Sequence, residues 1–228
     1  GALGAYDEPV VIDEWQLVPE VLGAVKRSID SQPTPARFVL TGSTGADLTA
    51  AGWPATGRVV RVPLWGLTER ELIGDSNATP FITRLLHFGR DGVVLPREIP
   101  DLRGYVERAL RGGYPEVALQ SNDWLRGAWL ASYVDNLVTR DVALAGATRD
   151  PVRLRRYLQA VAANTSGIVE HKTLYDAAGI NRLTGIAYDN LFQALFVSEH
   201  VPAWRSSRFG RLVGTPKRYL TEPALLGP

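Results

Sequence analysis

The sequence predicts a chain of class α/β plus α: a small parallel sheet, then a helical region, then a winged-helix-like module. Three observations carry this. The aliphatic run Val10-Val11-Ile12 ends in Asp13 and Glu14, and a helical pattern and a second β-rich run at 37–41 follow it. Strand, helix and strand at that spacing favour parallel pairing. From Thr68 the periodicity turns helical, and near the end two short helical patterns meet across Gly179-Ile180-Asn181-Arg182. The expected divisions are 1–67, 68–148 and 149–228.

Each element has a local reason. Val10-Val11-Ile12 is short and continuously apolar, as a buried strand is. Val21, Leu22, Val25 and Ile29 fall at helical spacing behind Pro19, which suits a first helical turn. Residues 37–41 form the second strand, closed by Thr41-Gly42-Ser43, and residues 58–64 are expected to form a third. Thr68 and Glu71 have the form of a capping box. A short helix is expected near 80–88, and another over 101–111, stopped by Gly112-Gly113. Leu125, Trp129, Tyr133 and Leu137 form an i+4 stripe over 121–142. Residues 151–164 make an amphipathic helix with Leu154, Leu158 and Val161 inward. Helices over 171–178 and 184–197 joined by a glycine-containing turn have the form of a helix-turn-helix. Residues 197–204 and 211–220 read as a hairpin.

Composition excludes several classes. There is no cysteine, hence no disulfide framework and no thiolate metal site. His87, His171 and His200 show no metal-ligand spacing. With 25 Lys and Arg against 24 Asp and Glu, the net charge of +1 does not draw the whole molecule to nucleic acid or acidic lipid. No apolar run approaches the roughly 18 residues of a membrane span and no signal peptide opens the chain, so a cytoplasmic protein without a membrane partner is expected. The chain has no methionine, even at position 1, which suggests that it starts downstream of the gene's start.

Asp13 and Glu14 stand at the C-terminal end of a parallel strand, where open α/β sheets bind ligands. In a nucleotide hydrolase the first carboxylate holds Mg²⁺, usually through water, and the second orients or deprotonates the attacking water. Two solvated acids at a strand end are the plainer alternative. Thr41, ending the neighbouring strand, could touch a phosphate or its water, or simply serve a turn. Arg58 could reach a phosphate or be solvated.

IDEWQLVP, RFVLTGS, GRVVRVPLWGLTEREL and RGGYPEVAL, in that order, resemble a large family of prokaryotic AAA+-type ATPases with an uncharacterised C-terminal domain. TPKRYLTEPALL resembles a later segment of the same family. The resemblance implies a partial AAA+-like core holding the Walker B and sensor-1 strands, and ATP with Mg²⁺ as cofactors. By it Asp13 is the Mg²⁺-coordinating acid, Glu14 the catalytic glutamate, Thr41 the sensor, and Arg58 a phosphate or finger arginine. Such relatives often form rings, which makes a homo-oligomer an expectation. The family's glycine-rich phosphate loop of the G-x-x-x-x-G-K-[ST] type is missing from this chain. In the family its strand lies beside the sensor strand, so that strand is expected to lack a neighbour. Either an upstream segment belongs to the protein, the reading preferred here, or the sheet has been rebuilt without nucleotide. Glu222 replaces the aspartate expected near the end, and no nuclease motif follows.

A winged helix often means DNA. Thr184, Tyr188, Asn190 and Gln193 are candidate polar contacts, with Asp189 opposing phosphate. Arg182, Arg205, Arg208, Arg211, Lys217 and Arg218 form a candidate phosphate-contacting rim, with Trp204 and Phe209 interleaved. The alternative is that the module docks or packs against protein. Trp15, Trp53, Trp65, Trp124 and Trp129 are expected to serve packing.

Overall fold

The computed structural model describes residues 9–42, 57–74, 79–94, 99–120, 122–141, 150–204, 206 and 214–227. The chain divides into two compact units, Gly1–Pro63 and Leu64–Pro228.

In the first unit, β1 (Val10–Ile12) leads through a 3₁₀ turn at Trp15–Leu17 into α1 (Val21–Ser31) and then β2 (Phe38–Leu40). The strands pair in parallel, Val10 opposite Phe38 and Ile12 opposite Leu40. Parallel pairing needs a long crossover, and α1 supplies it. The ladder runs on past both ends: Val10 N donates to Arg37 O at 2.8 Å and Thr41 N to Ile12 O at 3.0 Å. Alternation then sorts the faces. Ile12, Phe38 and Leu40 pack with Val21 and Ile29 around buried Trp15, Leu22 and Val25, while Val11 and Val39 face outward and are exposed. The apolar stripe predicted for α1 is the one it buries.

The expected third strand does not form. Residues 58–64 follow a turn at 57–58 and pair with no strand among the described residues, and Val60 and Val62 are 87% and 80% exposed. β-branched residues favour a strand only where a neighbour accepts the ladder. Among the described residues β2 pairs with β1 alone, so its far edge is open.

The second unit is mostly helical. Its helices are α2 (Glu69–Leu72), α3 (Phe81–Phe88), α4 (Leu102–Arg111), α5 (Pro115–Ala118), α6 (Asp123–Asn136), α7 (Pro151–Ala163), α8 (His171–Ala178) and α9 (Arg182–Ala194). Their starts follow from capping chemistry. The capping box at α2 is complete: Thr68 N donates to Glu71 Oε2 at 2.7 Å, and Glu71 N to Thr68 Oγ1 at 3.4 Å. Asp101, Asn122, Asp150 and Asn181 cap α4, α6, α7 and α9 with their side-chain oxygens. The Asn181 cap starts α9 at Arg182, not at 184, and α9 ends at Ala194, not at 197. The helix predicted over 121–142 begins at Asp123 and loosens into a π-helical turn at Leu137–Asp141.

After α9 the chain forms β3 (Ser198–Val201), antiparallel to β4 (Lys217–Leu220), with Ser198 opposite Leu220 and Val201 opposite Lys217. The core is built on α7. Leu154, Tyr157, Leu158 and Val161 meet Leu174 and Ala178 of α8, Tyr188, Leu191 and Phe192 of α9, and Leu220 and Leu225 behind β4. The Tyr157 ring stacks on Phe192 with centroids 5.8 Å apart. From α6 come Leu130 and Val134, and from the π-helical turn Leu137 and Val138; Leu125, a member of the predicted stripe, is exposed. Trp129 stacks on Tyr133 at 5.4 Å and Trp65 meets Phe196 edge-on at 4.9 Å, but Trp124, predicted to pack, is also exposed. No helix among the described residues is long and apolar enough to cross a membrane.

Helices α8 and α9 approach closely because Gly185 has no side chain: a Cβ there would lie 2.2 Å from the ring of Tyr175, which is buried. Gly185→Ala should therefore destabilise the second unit by about 1–3 kcal/mol, the usual cost of overpacking. A denaturation midpoint matching that of the parent would contradict this packing.

Candidate functional site

The end of β1 brings three of the predicted residues together. Thr41 Oγ1 donates to Asp13 Oδ1 across the two strand ends. Trp15 N donates to Thr41 O at 3.3 Å, so the chain after β1 stays strapped to the chain after β2. Glu14 sits in the left-handed region at φ 49°, which turns its carboxylate off the strand direction, and Gln16 Nε2 donates to Glu14 Oε2. Both carboxylates are exposed. Oxygen donors open to water suit a hard, hydrated cation. Arg58 is not part of this group. It pairs with Asp30, in the last turn of α1. That turn lies by the start of β2, where Arg37 Nη1 donates to Gln32 Oε1, and so at the other end of the strands from Asp13.

The predicted cationic rim divides. Arg182 and Lys217 are exposed, on α9 and β4. Arg205, Arg208 and Arg211 lie outside the described residues. Arg218 is not a rim cation: it is 3% exposed and sits beside Asp189, itself 5% exposed. Arg218 Nη2 stands 3.6 Å from Asp189 Oδ2 and donates to His171 Nδ1 at 2.6 Å, while Nη1 donates to Val169 O at 3.2 Å. Tyr157 OH donates to Asp189 Oδ1 at 2.6 Å and Tyr175 OH to Oδ2 at 3.4 Å. His200 Nε2 is 3.7 Å from Oδ1, beyond hydrogen-bond length. Tyr188, predicted to point outward, is buried in the core, whereas Asn190 and Gln193 are exposed.

This cluster has a definite electrostatic state. Burial alone would raise the Asp189 pKa, but His200, the Tyr157 hydroxyl and the Arg218 charge outweigh it and hold the carboxyl below its ordinary value. His171 is pushed the other way from a usual salt-bridge histidine: burial and the Arg218 charge lower its pKa. An arginine N–H can only donate, so His171 is the acceptor in this contact.

A third grouping was not legible as a site. Segments from three of the sequence motifs meet around the buried carboxylate of Glu222. Gly113 N donates to Glu222 Oε2 at 2.9 Å and Leu67 N donates to Gly113 O at 2.6 Å. Ala224 N donates to Glu222 Oε1 at 3.2 Å. Gly112 adopts φ 71°, and a Cβ there would lie 2.2 Å from Glu222 Oε1. Leu67, Gly112, Gly113 and Glu222, with Trp65, Tyr105 and Arg108, line an open groove of about 590 Å³.

With this geometry described, comparison with known proteins defines the class. Residues 3–73 match a family model described as an AAA domain, so the strand end carrying Asp13 and Glu14 lies in an AAA-type region. Residues 102–227 match a model described as Domain of unknown function (DUF8612). That match spans more than half of the chain, and the chain belongs to this family. The chain is also similar to Uncharacterized protein Rv2008c of Mycobacterium tuberculosis and Uncharacterized protein Mb2031c of Mycobacterium bovis. Each is 27% identical over 227 residues, which is 99% of this chain and 45% of the relative. The chain thus spans about half the length of the curated relatives it matches. No solved structure matches it significantly.

Two expectations follow from the Asp189 cluster. Asp189→Ala leaves the Arg218 charge buried without its partner and should cost about 3–5 kcal/mol in denaturant unfolding. A loss under about 1 kcal/mol would show the pair to be well solvated. The second concerns pH. In the unfolded chain His171 takes its proton near pH 6.5, and in the folded chain only at a lower pH. Its contribution to stability is whole above pH 6.5 and shrinks as pH falls through that value. The denaturant midpoint should drop between pH 7.5 and 5.5, and His171→Gln should flatten that drop. An equal drop in the variant would assign it to other groups.

Proposed function

We propose that the protein to which this chain belongs is an ATP-binding AAA+-type ATPase, in which Mg²⁺-dependent hydrolysis drives movement of the helical parts. The observation that carries this is the hydrogen bond from Thr41 to Asp13 across paired parallel strand ends, with Glu14 next in the chain. In the reading advanced here, Asp13 would hold Mg²⁺ through water, and Glu14 orients the attacking water and accepts its proton. Bound Mg²⁺ would neutralise charge on the phosphate oxygens. Thr41 orients Asp13. The groups that grip the phosphates lie outside the described residues, and Arg58, held by Asp30, is not proposed as one. The open edge of β2 and the exposed Val11 and Val39 fit a sheet with a further strand beside β2 and a covering on its other face.

The test is a titration of fluorescent ATP with Mg²⁺ against the full-length gene product. Binding is expected, and Glu14→Gln should keep it while slowing hydrolysis by about 10²–10⁴-fold, the worth of a general base. An unchanged rate in Glu14→Gln would remove the role assigned to Glu14, and no binding would overturn the ATPase reading.

We read α8, its turn, α9 and the β3–β4 pair as a winged-helix-like module that contacts a protein more readily than DNA. One observation favours this over phosphate contact: the outward side of α9 presents Leu183, 79% exposed, together with Ile186, Asn190 and Gln193. Arg218, one of the cations a DNA rim would need, is internal. Duplex DNA should bind weakly or not at all at physiological salt. Affinity that falls steeply with salt and weakens in Arg208→Ala would reverse the assignment.

A further inference from the structure

Two residues beyond the acidic pair, Gln16 sits between the proposed chemistry and the end of β2. Its Nε2 donates to Glu14 Oε2, and its side chain is half-buried. The amide also lies hard against Gly42: a Cβ built on Gly42 would fall 2.4 Å from Gln16 Oε1. Trp15, between Glu14 and Gln16, is fixed in the core of the first unit, and its backbone N–H is tied to Thr41 O. The two strand ends therefore touch at three successive levels. Thr41 Oγ1 reaches Asp13, Trp15 N reaches Thr41 O, and Gly42 abuts the Gln16 amide, which in turn holds Glu14.

We propose that Gln16 is the positioning residue for Glu14, and that the Thr41-Gly42 turn sets the position of Gln16. This rests on the ATPase reading above. A long carboxylate on an exposed left-handed residue has several rotamers open to it, and a general base works only when aimed. The Gln16 amide donates a hydrogen bond to one carboxylate oxygen and leaves the other to meet water. Gln16 is itself confined, because Gly42 gives it just enough room. A shift of the Thr41-Gly42 turn, the segment placed to meet a nucleotide, moves the amide and so re-aims or releases Glu14. The end of β2 thereby gates the base on β1 with no rearrangement of the strands.

The position of Gly42 makes the coupling accessible to experiment. A methyl group there would fall 2.4 Å from Gln16 Oε1 and 3.1 Å from Trp15 Nε1, and the flexible Gln16 amide, which moves more easily than the buried indole, is the group that swings away. Gly42→Ala should then act on catalysis through Gln16.

The experiment compares ATP binding and steady-state hydrolysis in the full-length protein for Gln16→Ala, Gln16→Glu, Gly42→Ala and the Gln16→Ala/Gly42→Ala double variant. Gln16→Glu keeps the side chain's size and loses its N–H donor, which separates aiming from packing. Gln16→Ala and Gln16→Glu should each lower kcat about 10–100-fold, the scale of a misplaced catalytic group, with ATP affinity within about twofold of the parent. Gly42→Ala should do the same, and the double variant should be no slower than either single one. Normal kcat in Gln16→Ala, or in Gln16→Glu, would overturn the positioning role. Losses that multiply in the double variant would overturn the link to Gly42. Glu14→Gln is run alongside. If it abolishes hydrolysis while the Gln16 variants do not slow it, this inference alone fails. If it leaves hydrolysis unchanged, the ATPase reading fails and takes this inference with it.

Discussion

A carboxylate taken out of water must be given partners, and in the second unit the partners of Asp189 come from almost every surrounding element. Tyr157 reaches it from α7, Tyr175 from α8 and Arg218 from β4, with His171 of α8 and His200 of β3 standing 3.5 and 3.7 Å away. No rotation of α9 or shift of β4 keeps all of these contacts. The apolar core alone could be satisfied by several packings of similar volume, since such cores tolerate repacking. The charged cluster cannot, so it selects one of them. It also offsets the otherwise costly burial of Arg218, whose Nη1 and Nη2 also donate to Val169 O and the His171 ring.

The first unit depends on a different economy. Among the described residues its core has three buried side chains, Trp15, Leu22 and Val25, beneath a two-stranded parallel pair. Parallel pairs in open α/β sheets are usually covered on both faces, whereas here α1 covers one face and Val11 and Val39 are left exposed on the other. Polar contacts at the strand ends compensate in part. The tie from Thr41 to Asp13 and the one from Trp15 N to Thr41 O lock the ends of β1 and β2 together where the acidic residues lie. The same bonds that stabilise this corner hold Asp13 at the end of β2.

Much of this was legible in the sequence wherever the signal was local. The Thr68–Glu71 capping box, the stop at Gly112, the stripe of α1 and the pairing of the two strands all follow from neighbours along the chain. What could not be read depended on distant partners. Residues 58–64 have strand composition but no ladder to join. In α9, Tyr188 looks like a polar contact and Asp189 like a surface acid opposing phosphate until Tyr157 and Arg218 are seen to claim their neighbourhood. Arg218 looked like one more surface arginine because nothing adjacent in sequence marks it as buried. Thr41 and Asp13 were each identifiable, but the bond between them needed the parallel register. Gln16 belongs to the IDEWQLVP segment, and only the approach of Gly42 to its amide reveals what it touches.

The Glu222 carboxylate carries a consequence for how the molecule is made. It accepts the N–H of Gly113 across 109 positions of sequence, while the Gly113 carbonyl is already bound by Leu67 N. A ribosome adding roughly ten residues per second delivers Glu222 about ten seconds after Gly113. During that interval the turn between α4 and α5, with Gly112 at positive φ, has no carboxylate to close on. The early helices of the second unit therefore emerge well before the residue that fastens them.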